Sequence, residues 1–325
     1  MKCINKRVLA GLLVVCVFIS VTGCGKAKSV VENGYPVYGE SSSINVLSGA
    51  EDTVSSYFGA NLCVGGTENI GQESVEHNSV AEAAGVFNTA TNTITYARMY
   101  PASTTKILTA YLAIKYGNLS DVVTISDNAV NLASDSSKCG LQAGDQMTLQ
   151  DLLYGLMLRS GNDAAIAIAE HISGSVEAFV DLMNQEAQQL GATGSHFMNP
   201  NGLPDENHYT TVYDLYLIFQ KALQDETFYQ LISTSSYTTN YTAADGSAKT
   251  QDWSSTNQYK TGESKLPDGF TLVGGKTGTT GDAGFCLVLL TDNASGQPVI
   301  SIVLKADCKS NLYLVMNEIL AGCGN

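Results

Sequence analysis

Positive charge is scarce in this 325-residue sequence: 17 Lys and Arg stand against 31 Asp and Glu, a formal net charge of −14 at pH 7. No Lys/Arg cluster offsets that deficit. The surface therefore repels phosphate backbones, and nucleic-acid binding is excluded. Metal-ligand spacing is missing too. Neither C-x-x-C nor H-E-x-x-H occurs, and His77, His171, His196 and His208 are scattered, so no zinc site or other cofactor is expected. No internal repeat is visible, and no apolar run has the length and flanks of a good membrane-spanning helix. What the chain does have is 44% hydrophobic residues against 15% charged, the balance of a globular protein with a sizeable core.

The first 23 residues differ from the rest. Lys2, Lys6 and Arg7 precede an almost wholly apolar stretch over residues 8–21, the anatomy of a secretory signal. It ends Val21-Thr22-Gly23-Cys24, which resembles the lipobox of bacterial lipoproteins. That resemblance implies cleavage before Cys24, lipidation of its sulfur, and an extracytoplasmic protein anchored to the cell membrane. Removing residues 1–23 moves the formal charge from −14 to −17. So acidic a surface is repelled by anionic headgroups, and a covalent lipid suits it better than a basic helix. Lipidation would leave five of the six remaining cysteines, an odd number that cannot all pair within one molecule. Cys286 lies in an apolar run and reads as a buried thiol.

Residues 24–78, rich in Ser, Gly, Glu and Asn, read as a lipidated cysteine, a tether and a lead-in to a catalytic domain over residues 79–325. Val86-Phe87 and Ile94-Thr95-Tyr96 flank a Thr-Asn turn and suggest a hairpin. Pro101 precedes a helix expected over residues 103–116, closed by Gly117. Thr148 and Asp151 fit a capped helix start, Asp163 can cap the next helix, and Ser175 opens a third with Phe179, Val180, Met183, Ala187 and Leu190 on one face. Residues 270–273, 285–291 and 299–305 read as strands, and 312–320 as a closing helix. The connections between those strands are too short for crossovers. The fold class expected is therefore α+β, an antiparallel sheet packed by helices with a helical subdomain.

Ser103 is the only serine that stands three residues before a lysine, Lys106. At the first turn of a helix these positions share a face, so the amine can reach the hydroxyl. Such a base is what a serine needs to become a nucleophile, and unpaired N–H groups at the helix start can hold an oxyanion. Two partner motifs belong with this pair, Ser-x-Asn and Lys-Thr-Gly, and each recurs. Ser-x-Asn begins at Ser43, Ser126, Ser160 and Ser255, and Lys-Thr-Gly at Lys260 and Lys276. Ser126 follows the Ser103 helix too closely for a helical arm to swing back over it. Ser160-Gly161-Asn162 sits in a tight link between two helices, and is the expected copy. Lys260 reads as part of a solvated loop. Lys276-Thr277-Gly278-Thr279 continues from apolar Leu272-Val273 through two glycines, which places it on an edge strand where a peptide could pair.

Several blocks together resemble the serine-type D-alanyl-D-alanine carboxypeptidases, the low-molecular-mass penicillin-binding proteins. They are Tyr100-Pro101-Ala102-Ser103-Thr104-Thr105-Lys106, Ser160-Gly161-Asn162-Asp163-Ala164-Ala165, Phe197-Met198-Asn199-Pro200-Asn201-Gly202-Leu203, His208-Tyr209-Thr210-Thr211, and Gly275-Lys276-Thr277-Gly278 with Ala283-Gly284-Phe285. The resemblance implies the penicillin-recognising fold shared with β-lactamases and transpeptidases. It also implies a substrate, peptidoglycan stem peptides ending in D-Ala-D-Ala, and β-lactams as inhibitors. Ser103 would be the nucleophile, Lys106 its general base and Ser160 a proton relay to the leaving group. Asn162 would bind the substrate amide, and Lys276, Thr277 and Thr279 the terminal carboxylate, with Gly278 between them. The N–H groups of Ser103 and Thr279 would form the oxyanion hole. His208, Asn199 and Asn257 read as residues that pin loops by hydrogen bonds, and His171 as a helix-end packing residue.

Many relatives carry a C-terminal β-rich domain and an amphipathic helix, whereas 47 residues follow Gly278 here; an N-terminal lipid would replace that anchor. Two alternatives share the motifs. A β-lactamase needs a glutamate to drive deacylation, and no Glu-x-x-Leu-Asn lies between Asn162 and Lys276, where Glu186 falls mid-helix and Glu206 in a loop. A non-catalytic lipoprotein that binds wall peptides would have no need of both Ser103 and Lys106.

Overall fold

The computed structural model describes residues 81–88, 91–92 and 98–323. The signal segment, Cys24 and the tether lie outside the described residues. The chain enters through β1 (Ala81–Asn88) and β2 (Thr91–Asn92), paired antiparallel as Phe87↔Asn92 and Asn88↔Thr91. Thr91 and Asn92 thus belong to the returning strand, and the reversal comes earlier than the Thr-Asn pair suggested.

Pro101 leads into one 3₁₀ turn, Ala102–Thr105, which runs directly into α1 (Lys106–Tyr116). Every residue of α1 from Lys106 to Ala113 is buried, so this helix is the axis of the molecule. Gly117 stops it, its N–H returning to the carbonyl of Ala113 at 2.9 Å. After β3 (Val122–Thr124), α2 (Asp127–Val130) and β4 (Gln146–Thr148) comes α3 (Leu149–Tyr154). Thr148 and Asp151 close a reciprocal capping box at its start, as their spacing predicts. The helix continues as a π-helical turn, Gly155–Arg159, and ends at Ser160 in the left-handed conformation.

Next come α4 (Asn162–Ser173), α5 (Val176–Gln189), α6 (Val212–Ala222) and α7 (Glu226–Ser233). Ser175 caps α5, and Phe179, Met183 and Ala187 are its buried stripe at fourfold spacing. Asp163 does not cap α4. Gly161 holds that place, and the Asp163 carboxylate turns to a neighbouring loop.

The polar hairpin β5 (Ser236–Thr242) and β6 (Ala248–Ser254) joins β3 and β4 in a second sheet of order β3-β4-β5-β6. A short helix α8 (Gln258–Thr261) follows, and contains Lys260, which is half-buried rather than in a solvated loop. The last elements are β7 (Thr271–Thr280), β8 (Gly284–Asp292), β9 (Pro298–Ala306) and α9 (Lys309–Cys323).

The main sheet is antiparallel, order β2-β1-β9-β8-β7, with β7 at its edge. Strand alternation divides the core between two faces. Cys286, Val288, Leu290, Ile300, Ile302 and Leu304 face the helical cluster around α1. Leu287, Leu289, Val299 and Val303 face Leu312, Val315, Met316 and Leu320 of α9. The interior strand β8 is apolar on both sides because both are covered. The free edge of β7 borders the helical subdomain, and there the expected motifs meet. No helix among the described residues is long and apolar enough to cross a membrane.

Candidate active site

The 3₁₀ turn before α1 sets the first pair. With three residues per turn, positions i and i+3 eclipse, and Lys106 Nζ lies 3.0 Å from Ser103 Oγ. Ala102, just before Ser103, has φ +48°, a conformation that costs a non-glycine residue on the order of 1–2 kcal/mol. The neighbouring loop is fitted to this kink. Gly202, at φ +87°, packs so closely that a Cβ there would lie 1.8 Å from the carbonyl oxygen of Ala102. No other residue type fits.

Lys106 is fully buried. Besides Ser103, its amine reaches Asn162 Oδ1 at 2.7 Å and the carbonyl oxygen of Asn201 at 2.6 Å. Burial, aided by the charge of Lys276, holds its pKa well below the usual lysine range. A neutral amine has two N–H bonds and one lone pair. The two N–H bonds match Asn162 and Asn201, which leaves the lone pair for the hydroxyl of Ser103. That is the geometry of a base ready to accept a proton.

The π turn and the left-handed Ser160 bring the second motif to the cleft. Ser160 Oγ accepts from Lys276 Nζ at 2.9 Å. Asn162 is nearly buried and already engaged at both ends of its amide: Oδ1 holds Lys106, while Nδ2 donates to Ser136 Oγ at 2.7 Å. One N–H and one lone pair remain for a substrate. A loop over residues 136–141, unremarked in the sequence, supports this arrangement. Asp163 accepts from the backbone N–H groups of Cys139, Gly140 and Leu141 at 2.9, 3.0 and 3.2 Å, and Asn162 N–H donates to the carbonyl of Ser137 at 2.8 Å.

On β7, Lys276 is 1% exposed and also donates to the carbonyl of Thr277 at 2.7 Å. Burial lowers its pKa to about 7. Thr277 Oγ1 lies 2.5 Å from Thr256 Oγ1, which adds a second hydroxyl beside Thr277. Gly278 faces the nucleophile turn. A Cβ there would come 3.0 Å from the backbone nitrogen of Ser103, so the glycine lets strand and turn approach. Thr279 follows, exposed at the rim, its hydroxyl donating to the carbonyl of Gly278 at 2.8 Å.

Ser103, Lys106, Ser160, Asn162, Lys276, Thr277, Gly278 and Thr279 thus line one cleft. The competing copies lie elsewhere. Ser126 caps α2 and donates to Glu170 at 2.6 Å. Ser255 accepts from the N–H of Asn257. Lys260 is held by the carbonyl of Ser233, and Ser43 lies outside the described residues. Glu186 is occupied by Lys115 at 2.7 Å and by Tyr111 at 3.1 Å; Glu206 is exposed. His171 bonds Asp121 at 3.2 Å. Cys286 is buried, its thiol pushed up to about 12.

Comparison with known proteins agrees with this geometry. The family model described as D-alanyl-D-alanine carboxypeptidase, peptidase S11, matches residues 72–308. The D-alanyl-D-alanine carboxypeptidase DacA of Haemophilus influenzae is 35% identical over 214 residues, 64% of this chain and 51% of that protein. The D-alanyl-D-alanine carboxypeptidase of Streptomyces sp. strain K15 is 34% identical over 265 residues, 76% of this chain and 88% of the relative. The crystal structure of the Streptomyces K15 DD-transpeptidase superposes with a TM-score of 0.67 at 31% identity, over 74% of this chain and 96% of that one. The chain spans about half the length of the Haemophilus relative. By family match, by a relative covered over most of its length, and by fold, this chain belongs to the peptidase S11 family of D-alanyl-D-alanine carboxypeptidases.

Proposed function

We propose that this protein is a penicillin-binding serine D-alanyl-D-alanine carboxypeptidase acting on peptidoglycan stem peptides. The observation that carries the reading is the Lys106 amine, buried beside a second lysine, with its remaining valence on Ser103 Oγ at 3.0 Å. A lysine that merely supported the fold would pair with a carboxylate, and this one has none within hydrogen-bond reach among the described residues.

Ser103 Oγ attacks the carbonyl carbon of the penultimate D-alanine while its proton passes to Lys106. The N–H groups of Ser103 and Thr279 receive the developing oxyanion. Lys276, Thr277 and Thr279 hold the terminal carboxylate, and Asn162 offers its free N–H and lone pair to the substrate amide. A proton returns through Ser160 to the leaving nitrogen, the C–N bond breaks, and D-alanine departs. Water then cleaves the Ser103 ester and restores the hydroxyl. A β-lactam opens by the same attack, but its leaving nitrogen stays tethered and blocks the water. Glu186, the mid-helix acid, is spent on Lys115 and Tyr111, which favours a slow-turnover penicillin adduct over a β-lactamase. The Streptomyces relative is described both as a carboxypeptidase and as a DD-transpeptidase, which supports an amine acceptor competing with water. We further propose that Cys24 carries the lipid that holds the protein at the outer face of the membrane.

The test uses the full chain, a fluorescent penicillin and a pentapeptide ending in D-Ala-D-Ala, with Ser103→Ala alongside. Persistent labelling of the natural chain, release of one D-alanine, and loss of both in Ser103→Ala are expected. Labelling that survives Ser103→Ala removes the nucleophile assignment, and rapid catalytic loss of label indicates a β-lactamase.

A further inference from the structure

Behind the nucleophile turn lies a loop over residues 198–203 that touches Lys106 and Ala102 through its backbone. Its carbonyl at Asn201 accepts one of the Lys106 N–H bonds at 2.6 Å, and its carbonyl at Pro200 accepts from Thr109 Oγ1 at 2.6 Å. The loop holds its own shape. Asn199 Oδ1 accepts from Gly202 N–H at 2.7 Å, Asn199 Nδ2 donates to the carbonyl of Leu203 at 3.0 Å, and Asn201 Oδ1 accepts from Leu203 N–H at 3.0 Å.

One side chain ties this loop to the turn. His208 Nδ1 accepts from the N–H of Met198 at 3.2 Å. A neutral ring therefore carries its hydrogen on Nε2, which donates to Thr105 Oγ1 at 2.9 Å. Thr105 is the residue before Lys106. The ring is 1% exposed and packs edge-on against Phe197 at 5.5 Å. Burial pushes its pKa down to about 4, so the ring is neutral near neutral pH, and its two hydrogen bonds set the tautomer.

We infer that His208 is a positioning residue for acylation: it locks the loop bearing the Asn201 carbonyl to the turn bearing Ser103 and Lys106, and so keeps the Lys106 lone pair on the Ser103 hydroxyl. Its role is not acid–base, because its hydrogen bonds go to Thr105 and to the Met198 backbone. The inference rests on the reaction proposed above. Misplacing a reacting group by about 1 Å can lower a rate on the order of a hundredfold while leaving ground-state binding intact.

Stopped-flow acylation of the full chain by a fluorescent penicillin separates the affinity of the precovalent complex from the first-order acylation rate. His208→Ala is expected to lower the rate about tenfold or more with affinity nearly unchanged. His208→Gln, whose amide can still donate to Thr105, should recover most of that loss. Thr105→Val removes the acceptor with little change of volume, and carries the test if His208→Ala does not fold. It should reproduce the slow acylation, and the double variant should be no slower than the slower single variant. A folded His208→Ala that acylates at the natural rate overturns the inference, as does a parallel loss of affinity and rate. Failure of the natural chain to label on Ser103 would instead bring down the proposed function itself, and is seen in the control before any variant is compared.

Discussion

The amine of Lys276 donates to the hydroxyl of Ser160 across 2.9 Å, joining the edge strand of the sheet to the end of the π turn. Two elements 116 residues apart thereby share one buried proton-bearing contact. Because Lys276 has its pKa lowered to about 7, it is only partly charged at neutral pH in the free protein, and an arriving carboxylate would favour the charged form.

Substrate binding should therefore depend on pH in a defined direction. As pH rises through 7 the free protein loses the Lys276 charge, and KM for a D-Ala-D-Ala peptide should climb. Lys276→Ala should flatten that dependence and slow acylation at least about tenfold, or about 1.4 kcal/mol. Lys260→Ala should leave both close to natural values. Steady-state kinetics between pH 5.5 and 9, as an approximate working range around that pKa, check it, and equal effects of the two substitutions would mean the wrong lysine is assigned.

The same burial has a cost for the fold. A lysine whose folded pKa lies below its unfolded value binds its proton less readily in the folded state. The penalty is full below the folded pKa and disappears as pH rises towards about 10.4. Lys276→Met should thus raise Tm most at pH 6 and progressively less on the alkaline side, while abolishing activity. Thermal denaturation at both ends of that range decides it. A gain that grows with pH would contradict the assignment.

Asp163 supports Asn162 indirectly, through the three backbone N–H groups of residues 139–141. Asp163→Ala leaves those donors without their acceptor, at about 1–3 kcal/mol for each one that water cannot reach, and Cys139 and Leu141 are buried. A loss of stability of at least that size is expected, together with slower acylation as Ser136 ceases to hold Asn162. Urea unfolding and penicillin labelling measure the two effects. Unchanged labelling in the folded variant would mean that the loop carries no catalytic geometry.

The anchor is tested separately. Cys24→Ser should release the protein from membranes, because a lipidated cysteine is its proposed attachment. Fractionation followed by an alkaline wash reads the outcome, and a variant that stays fully bound removes the lipoprotein reading.

Much of the site was legible in the sequence because its central pair is local. Ser103 and Lys106 are one turn apart, and helical geometry alone brings them together. The choice of Ser160 over Ser126 followed from spacing, because Ser126 stands too close to the Ser103 helix for an arm to swing back, and that of Lys276 over Lys260 from the apolar residues and two glycines that lead into it. What escaped is long-range. Asp163 reads like a helix cap, and only folding shows its carboxylate turned to backbone groups 22–24 residues away. The β5–β6 hairpin escaped because its alternating residues are mostly polar on both faces, so no apolar period marks it. Thr256 gave no signal, since a hydroxyl beside Thr277 becomes meaningful only once β7 is in place.

The π turn at Gly155–Arg159 carries a consequence for how this site can vary. A π turn holds one residue more than an α turn, and each residue advances a helix by about 100°. Deleting one residue there would return the turn to α-helical spacing and remove the extra residue from which the chain passes to the left-handed Ser160, so the link that brings Ser160 to Lys276 and Asn162 to Lys106 would have to be rebuilt. Side chains within the turn can be exchanged for others of similar size, but their number cannot change. Chain length in this stretch is therefore as much an active-site parameter as the identity of Ser103.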